Sequence, residues 1–248
     1  MRYLLLSDVH SNLEALYTCL EIAAGRYDKA VCMGDLVGYG PNPNEVIEKV
    51  RNLCKPVIRG NHDKACCGID DAKEFNPYAR MATMWTQENL TPNHLEYLRA
   101  LPMGPAVMDG FIIVHGSPND EDEYILGPGQ ALPLLRGPEA QLVCFGHTHL
   151  QGGFMMSEAG RFQSIRIPGT PDGLTLTLPL EDGARYLINP GSVGQPRDHD
   201  WRAGFAILDT DGKVVEYYRT PYNVAQTQGK MEKAGLPPPL YRRLELGR

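Results

Sequence analysis

Apolar runs in this chain repeatedly stop at a residue able to hold a metal ion. Residues 3–6 lead into Asp8 and His10, 30–33 into Asp35, 56–58 into Asn61 and His62, 111–114 into His115, and 141–145 into His147 and His149. In open α/β sheets the carboxyl ends of strands form the ligand crevice, so these loops are expected to converge on one site. Of 7 histidines, only His94 and His199 stand outside the set. One histidine at a strand end is readily explained as a hydrogen-bonded core residue, but repetition at successive ends is not. In Asp8-x-His10 and His147-x-His149 the paired residues lie two apart in extended chain, so each pair faces the same side.

Two carboxylates, an amide and at least four imidazoles exceed what a single tetrahedral ion takes. They suit two ions bridged by a carboxylate. Nitrogen and oxygen donors without thiolate point to Mn, Fe, Zn, Ni or Co, with Mn favoured, and away from Ca or a structural zinc. Two such ions about 3.5–4 Å apart can clamp the attacking and leaving oxygens of a phosphoryl displacement and bring the pKa of a water towards about 7.

The first two-thirds alternates short apolar runs with helical periodicity, as βαβ units do. Ser11-Asn12-Leu13-Glu14 reads as a capping box opening a helix to residue 24. Further helices are expected over 44–53 and over 76–101, the latter broken at Thr91-Pro92. The acidic stretch 119–123 reads as a solvated loop. From Gly152 the pattern turns to strands: 154–157, 162–167, 174–178, 184–188, 203–208 and 214–218, with 209–212 as a hairpin turn. A helix over 222–234 and a proline-rich tail, 236–240, follow. No linker composition marks a boundary, so residues 1–248 are expected to form one domain.

A net charge of −6 argues against long nucleic acid or an anionic membrane as partner, since both select a basic face. It leaves a small phosphorylated substrate open, because bound metal reverses the local field. The opening apolar run is too short for an export signal or a membrane span. With no Cys-x-x-Cys pair among 6 cysteines, reduced thiols and a cytoplasmic location are expected.

The series Asp8-Val9-His10, Gly34-Asp35, Gly60-Asn61-His62-Asp63, His115-Gly116 and Gly146-His147-Thr148-His149 resembles the calcineurin-like metallophosphoesterase family in order and rough spacing, from residue 3 to about 195. The resemblance implies an α/β protein with a four-layer α/β/β/α sandwich and a dinuclear metal site at the strand ends. It implies that Asp8, His10, Asp35 and His149 bind one metal, and that Asp35 bridges to a second held by Asn61, His115 and His147. His62 is implied as a non-ligand that contacts phosphate and protonates the leaving group during attack by a metal-bridging hydroxide. Residues 7–16, 34–43 and 189–197 are similar to the small bacterial and archaeal phosphodiesterase branch.

The protein Ser/Thr phosphatase branch carries an Asp-Arg pair three and four residues after the bridging aspartate, where Gly38 and Tyr39 stand here. Support for His62 is therefore sought from Asp63. Phosphate contacts are sought from Asn12, Arg59, Arg197 and the backbone N–H groups of 191–194. A phosphodiester, or a monoester, is the expected substrate. A protein Ser/Thr phosphatase and a dinucleoside polyphosphate hydrolase are the enzyme alternatives. A non-catalytic scaffold is disfavoured because the motif residues are intact. Specificity is expected from loops 66–76, 117–129 and 168–172.

Overall fold

A computed structural model describes residues 1–138, 141–169 and 172–248. Thr170 and Pro171, in the expected specificity loop 168–172, lie outside the described residues. Two six-stranded sheets face one another, each backed by helices. The first half of the chain runs β1 (Arg2–Leu6), α1 (Leu13–Ala23), β2 (Lys29–Cys32), α2 (Pro43–Leu53), β3 (Cys54–Val57), α3 (Asn61–Cys66), α4 (Pro77–Asn89) and α5 (Pro92–Ala100). Then come β4 (Ala106–Val107), β5 (Ile112–Ile113), α6 (Pro128–Arg136), β6 (Leu142–Cys144), β7 (Gly152–Met156) and β8 (Phe162–Arg166). The remainder is β9 (Gly173–Pro179), β10 (Arg185–Asn189), β11 (Ala203–Asp209), β12 (Val214–Thr220), α7 (Val224–Lys233), α8 (Pro238–Arg242) and a closing 3-10 turn, Leu244–Leu246.

The first sheet has the order β3-β2-β1-β11-β12-β9 and the second β4-β5-β6-β10-β7-β8. β1, β2 and β3 run parallel, as do β5, β6 and β10, so each sheet delivers a row of carboxyl ends to one edge. Strands covered on both faces need continuous apolar sequence, and β1 shows why. Tyr3 and Leu5 enter the core between the sheets with Val31, Phe111, Ile113 and Ile188, while Leu4 and Leu6 pack with Leu16, Val46 and Ile47 of the helices behind. On the far side, Val143, Phe145 and Leu187 meet Ala131, Leu134 and Leu135 of α6. This is the four-layer α/β/β/α sandwich.

Three expectations are corrected. The N-cap of α1 is Asn12 rather than Ser11, its Oδ1 accepting from Ala15 N–H at 3.2 Å. Glu14 makes no reciprocal cap; it bonds Lys230 and the Thr227 hydroxyl. The segment after Leu236 is not an extended tail. Pro238 opens α8, and Leu236, Leu240 and Leu244 are buried against Tyr39, Ala79 and Met231. A proline read as a breaker here sits at the first helical position, where its missing N–H has no partner to lose. Thr91-Pro92 does divide α4 from α5, with Thr91 Oγ1 accepting from His94 N–H at 3.3 Å.

Candidate metal centre

The parallel strands end side by side, and the residues just past them meet at the edge between the sheets. Asp8 and His10 follow β1, Asp35 follows β2, and Asn61 and His62 open α3 after β3. The second sheet contributes His115 after β5 and His147 and His149 after β6. Donor atoms of Asp8, His10, Asp35 and His149 lie within 4.8 Å of one another, as do those of Asp35, His115 and His147. Asp35 is common to both groups, and all six are buried. Asn61 joins the second group through its Oδ1, 3.2 Å from His115 Nε2.

The backbone is bent to achieve this. Asp8, His10, Asp35, His147 and His149 all have positive φ, between 47° and 63°. For residues with a Cβ that conformation costs on the order of 1–3 kcal/mol each and persists where function requires it. Ring orientation is fixed from behind. His10 Nδ1 donates to Val37 O at 3.0 Å, His115 Nδ1 to Met33 O at 2.7 Å and His149 Nδ1 to Gln195 O at 2.6 Å. A carbonyl only accepts, so Nδ1 carries a hydrogen in each, and a ring in its neutral form has its lone pair on Nε2. The Nε2 atoms of His10 and His149 nevertheless face each other at 3.1 Å, and both meet carboxylate oxygens, of Asp35 at 3.5 Å and Asp8 at 3.3 Å. Lone pair against lone pair is repulsive, and a cation among them turns every one of those contacts attractive. The Oδ2 of Asp35, 3.5 Å from Nε2 of both His10 and His115, has no hydrogen-bond partner. Buried carboxylate oxygens are rarely left so, and a divalent ion satisfies this one. The residues fit the group.

Electrostatics agree. Burial pushes Asp8 up to about 7 and holds His10 down to about 4 and His147 down to about 3, with His62 and His149 also well below the usual imidazole value. Asp35 runs the other way: burial opposes its charge, but His115 and His62 outweigh it and hold it well below the ordinary carboxylate range. The site thus presents mostly neutral imidazoles around an ionised carboxylate.

Comparison with known proteins decides the family, since the family model described as calcineurin-like phosphoesterase matches residues 1–151. The chain belongs to the calcineurin-like phosphoesterases. It is 41% identical to a metallophosphoesterase from Sphaerobacter thermophilus, with a TM-score of 0.84 over 100% of this chain and 99% of that one. An uncharacterized protein of Methanocaldococcus jannaschii is 35% identical over 98% of this chain and 97% of its own length. A hypothetical protein from Pyrococcus horikoshii shares the fold at 23% identity, with a TM-score of 0.77 over 100% of this chain and 98% of that one. Family membership makes the chain a phosphoester hydrolase with a site for divalent metal.

Within this calcineurin-like phosphoesterase several expected contacts have other employment. Asn12 is buried, its Oδ1 accepting from Ala15 N–H in the helix cap and from Thr227 Oγ1 at 3.2 Å and its Nδ2 donating to Gly194 O at 2.9 Å, so its amide is engaged in holding the fold. Arg59 forms a two-pronged ion pair with Glu121, at 3.0 and 2.8 Å. Asp63 accepts from the N–H groups of Gly60 and Val37 rather than from His62. Three backbone N–H groups of 191–194 are also committed, those of Gly191 to Asn189 Oδ1, Val193 to Ser7 O and Gly194 to Asp8 O. That segment buttresses the Asp8 loop. Asn12→Ala should therefore act on stability. It removes a cap and orphans the Gly194 carbonyl, at about 2–3 kcal/mol, while the Thr227 hydroxyl keeps Glu14. In a chain of this size that lowers Tm by roughly 5–10 °C, read by thermal denaturation.

Arg197 does reach the site. Its Nη2 bonds Tyr39 Oη at 3.4 Å and Gln195 Oε1 at 2.9 Å, its guanidinium lies 5.7 Å from the Tyr39 ring centroid, and its charge acts on His10, His62 and His149. Tyr39 itself packs against His10 and His62, with ring centroids 4.8 and 4.5 Å apart, and Phe75 also packs against His62, at 4.5 Å. Tyr124 stacks on His147 at 3.8 Å. Arg243, beside α8, is close enough for Arg197 and Tyr39 to affect its ionisation. Phe75 and Tyr124 fall in the expected specificity loops 66–76 and 117–129 but are not singled out by sequence, and Arg243 is missed, because nothing in its local pattern separates it from ordinary tail residues. Behind His62, a Cβ at Gly38 would come within 2.8 Å of Nδ1, and that nitrogen has no partner.

Proposed function

We propose that the protein hydrolyses a small phosphodiester, or a monoester, with two divalent ions, Mn favoured. What supports this reading above all is the unpartnered Oδ2 of Asp35, midway between imidazoles of the two donor groups. Asp8, His10, Asp35 and His149 would hold one ion, and Asp35, Asn61, His115 and His147 the other. Ions held there supply positive charge against the phosphoryl group and acidify water at neutral pH.

The chain's own residues do the rest. Arg197, held beside Tyr39 from a distant loop, takes the phosphate oxygens, and Arg243 adds charge nearby. His62 protonates the leaving oxygen. Burial alone disfavours a proton on this ring, and a phosphate anion beside it makes one favourable. Phe75, Tyr39 and Tyr124 wall the site and exclude water, which strengthens each charge interaction inside it. The missing Asp-Arg pair favours a small diester over a phosphoprotein and aligns the chain with the small phosphodiesterase branch.

Because contributions span Asp8 to Arg243, we take the chain to work as one domain. Its 6 cysteines are buried free thiols, which fits a reducing compartment, and we assign it to the cytoplasm. Among the described residues no helix is long and apolar enough to cross a membrane. The test is a hydrolysis panel with added Mn: bis-p-nitrophenyl phosphate, p-nitrophenyl phosphate, a phosphopeptide and a dinucleoside polyphosphate. The diester is expected to have the highest kcat/KM. Preference for the phosphopeptide or the polyphosphate would replace the diester reading with the corresponding alternative.

A further inference from the structure

The acidic stretch 119–123, expected as a solvated loop, is fastened to the metal centre. Glu121 has a side chain only 11% exposed and accepts from Arg59 at 3.0 and 2.8 Å and from Lys64 Nζ at 3.3 Å. Lys64 also pairs with Asp122. Beneath the loop lies Gly116, next to His115. A Cβ there would stand 2.7 Å from Glu121 O and 2.8 Å from Asp120 O, so the loop rests directly on the backbone after a donor histidine. From this clamped position the Asp122 carbonyl meets His147 Nε2 at 3.0 Å, and Tyr124 covers the same ring. Because the carbonyl only accepts, Nε2 carries the hydrogen and the lone pair falls on Nδ1. His147 is thereby the odd ring of the set, since His10, His115 and His149 present Nε2.

We propose that loop 117–123 is a latch for the second cation position: Arg59 and Lys64 hold Glu121, and the Asp122 carbonyl so fixed sets the tautomer and direction of His147. Arg59, Lys64 and Glu121 are positioning residues, touching neither ion nor substrate. The inference rests on the metal assignment proposed above. Without the Glu121 carboxylate, two cations lose their shared counter-charge and repel, and the loop loses its anchor. Nothing then obliges His147 to keep Nδ1 inward. Groups that orient a metal-binding histidine in this way are worth about 10–100-fold in metal affinity.

The experiment is calorimetric titration of the metal-free full chain with Mn, with bound metal counted by mass spectrometry. His147→Ala identifies which of two binding steps belongs to the second position. Glu121→Gln is expected to weaken that same step about 10–100-fold and to leave the other within about threefold. Arg59→Lys, which keeps a charge opposite Glu121, is expected to retain more of that affinity than Arg59→Met. A purely packing role would lower the Tm of the metal-free protein and weaken both steps alike; that result, or an unchanged second step, overturns the latch. Should Glu121→Gln fail to fold, the double variant Arg59→Met, Lys64→Met reads the same step from the opposite partners. If His147→Ala removes neither step, the metal assignment fails and takes the latch with it; if it removes one that Glu121→Gln leaves intact, only the latch fails.

Discussion

Asp35→Ala should yield a folded protein with no bound Mn where the wild type is expected to hold two ions per chain. The expectation follows from where the carboxylate sits. Its Oδ2 is 3.5 Å from Nε2 of both His10 and His115, and no other described acidic side chain belongs to both donor groups. Losing any other donor leaves one position with its full set; losing Asp35 strips both. The negative charge goes too, and His115, raised to about 10 chiefly because Asp35 overcomes the effect of burial, loses its counter-ion. Turnover is expected to fall by at least about 10³-fold, corresponding to about 4 kcal/mol of lost charge stabilisation. Metal analysis after gel filtration checks the stoichiometry, and retention of two ions per chain would refute the shared role.

His62→Ala should separate chemistry from metal. Its backbone N–H donates to Asp35 Oδ1 at 2.8 Å, a bond that survives the change of side chain, while the ring packs against Tyr39 and Phe75 and belongs to neither donor group. Two Mn ions per chain are therefore expected to remain, with kcat reduced about 10²–10⁴-fold on an alkyl ester. With p-nitrophenolate, which departs without a proton, the loss should shrink to about tenfold or less. A deficit independent of the leaving group would remove His62 from the role of acid, and loss of metal would mean that it helps hold an ion.

The strand-end rule carried far because it rests on burial. A parallel strand covered on both faces must be apolar throughout, so the first polar residues after it mark the sheet's edge; Asp35, His115 and His147 could be found that way, and Asp8 one step past Ser7. What lay beyond the sequence depends on contacts made across the fold. Arg59 and Arg197 look alike as loop arginines, and only the position of Glu121 tells them apart. Asp63 adjoins His62 in the chain, but one turn of α3 sends its carboxylate back to Gly60 and Val37. The stretch 128–136 contains Gly129 and Pro133, both helix breakers, yet forms α6 because Leu134 and Leu135 fill the back of the second sheet. The same is true of α8, where burial of Leu240 overrides a run of prolines.

Each cation position draws donors from both sheets: Asp8, His10 and Asp35 with His149 in one, Asp35 and Asn61 with His115 and His147 in the other. A pair of ions held there would be a cross-link between layers. Side chains hold the sheets together along their length, while the ions would rivet them at one edge. An ion leaving either position would then loosen that seam as well as disarm the chemistry, tying the enzyme's shape and its activity to the same supply of metal.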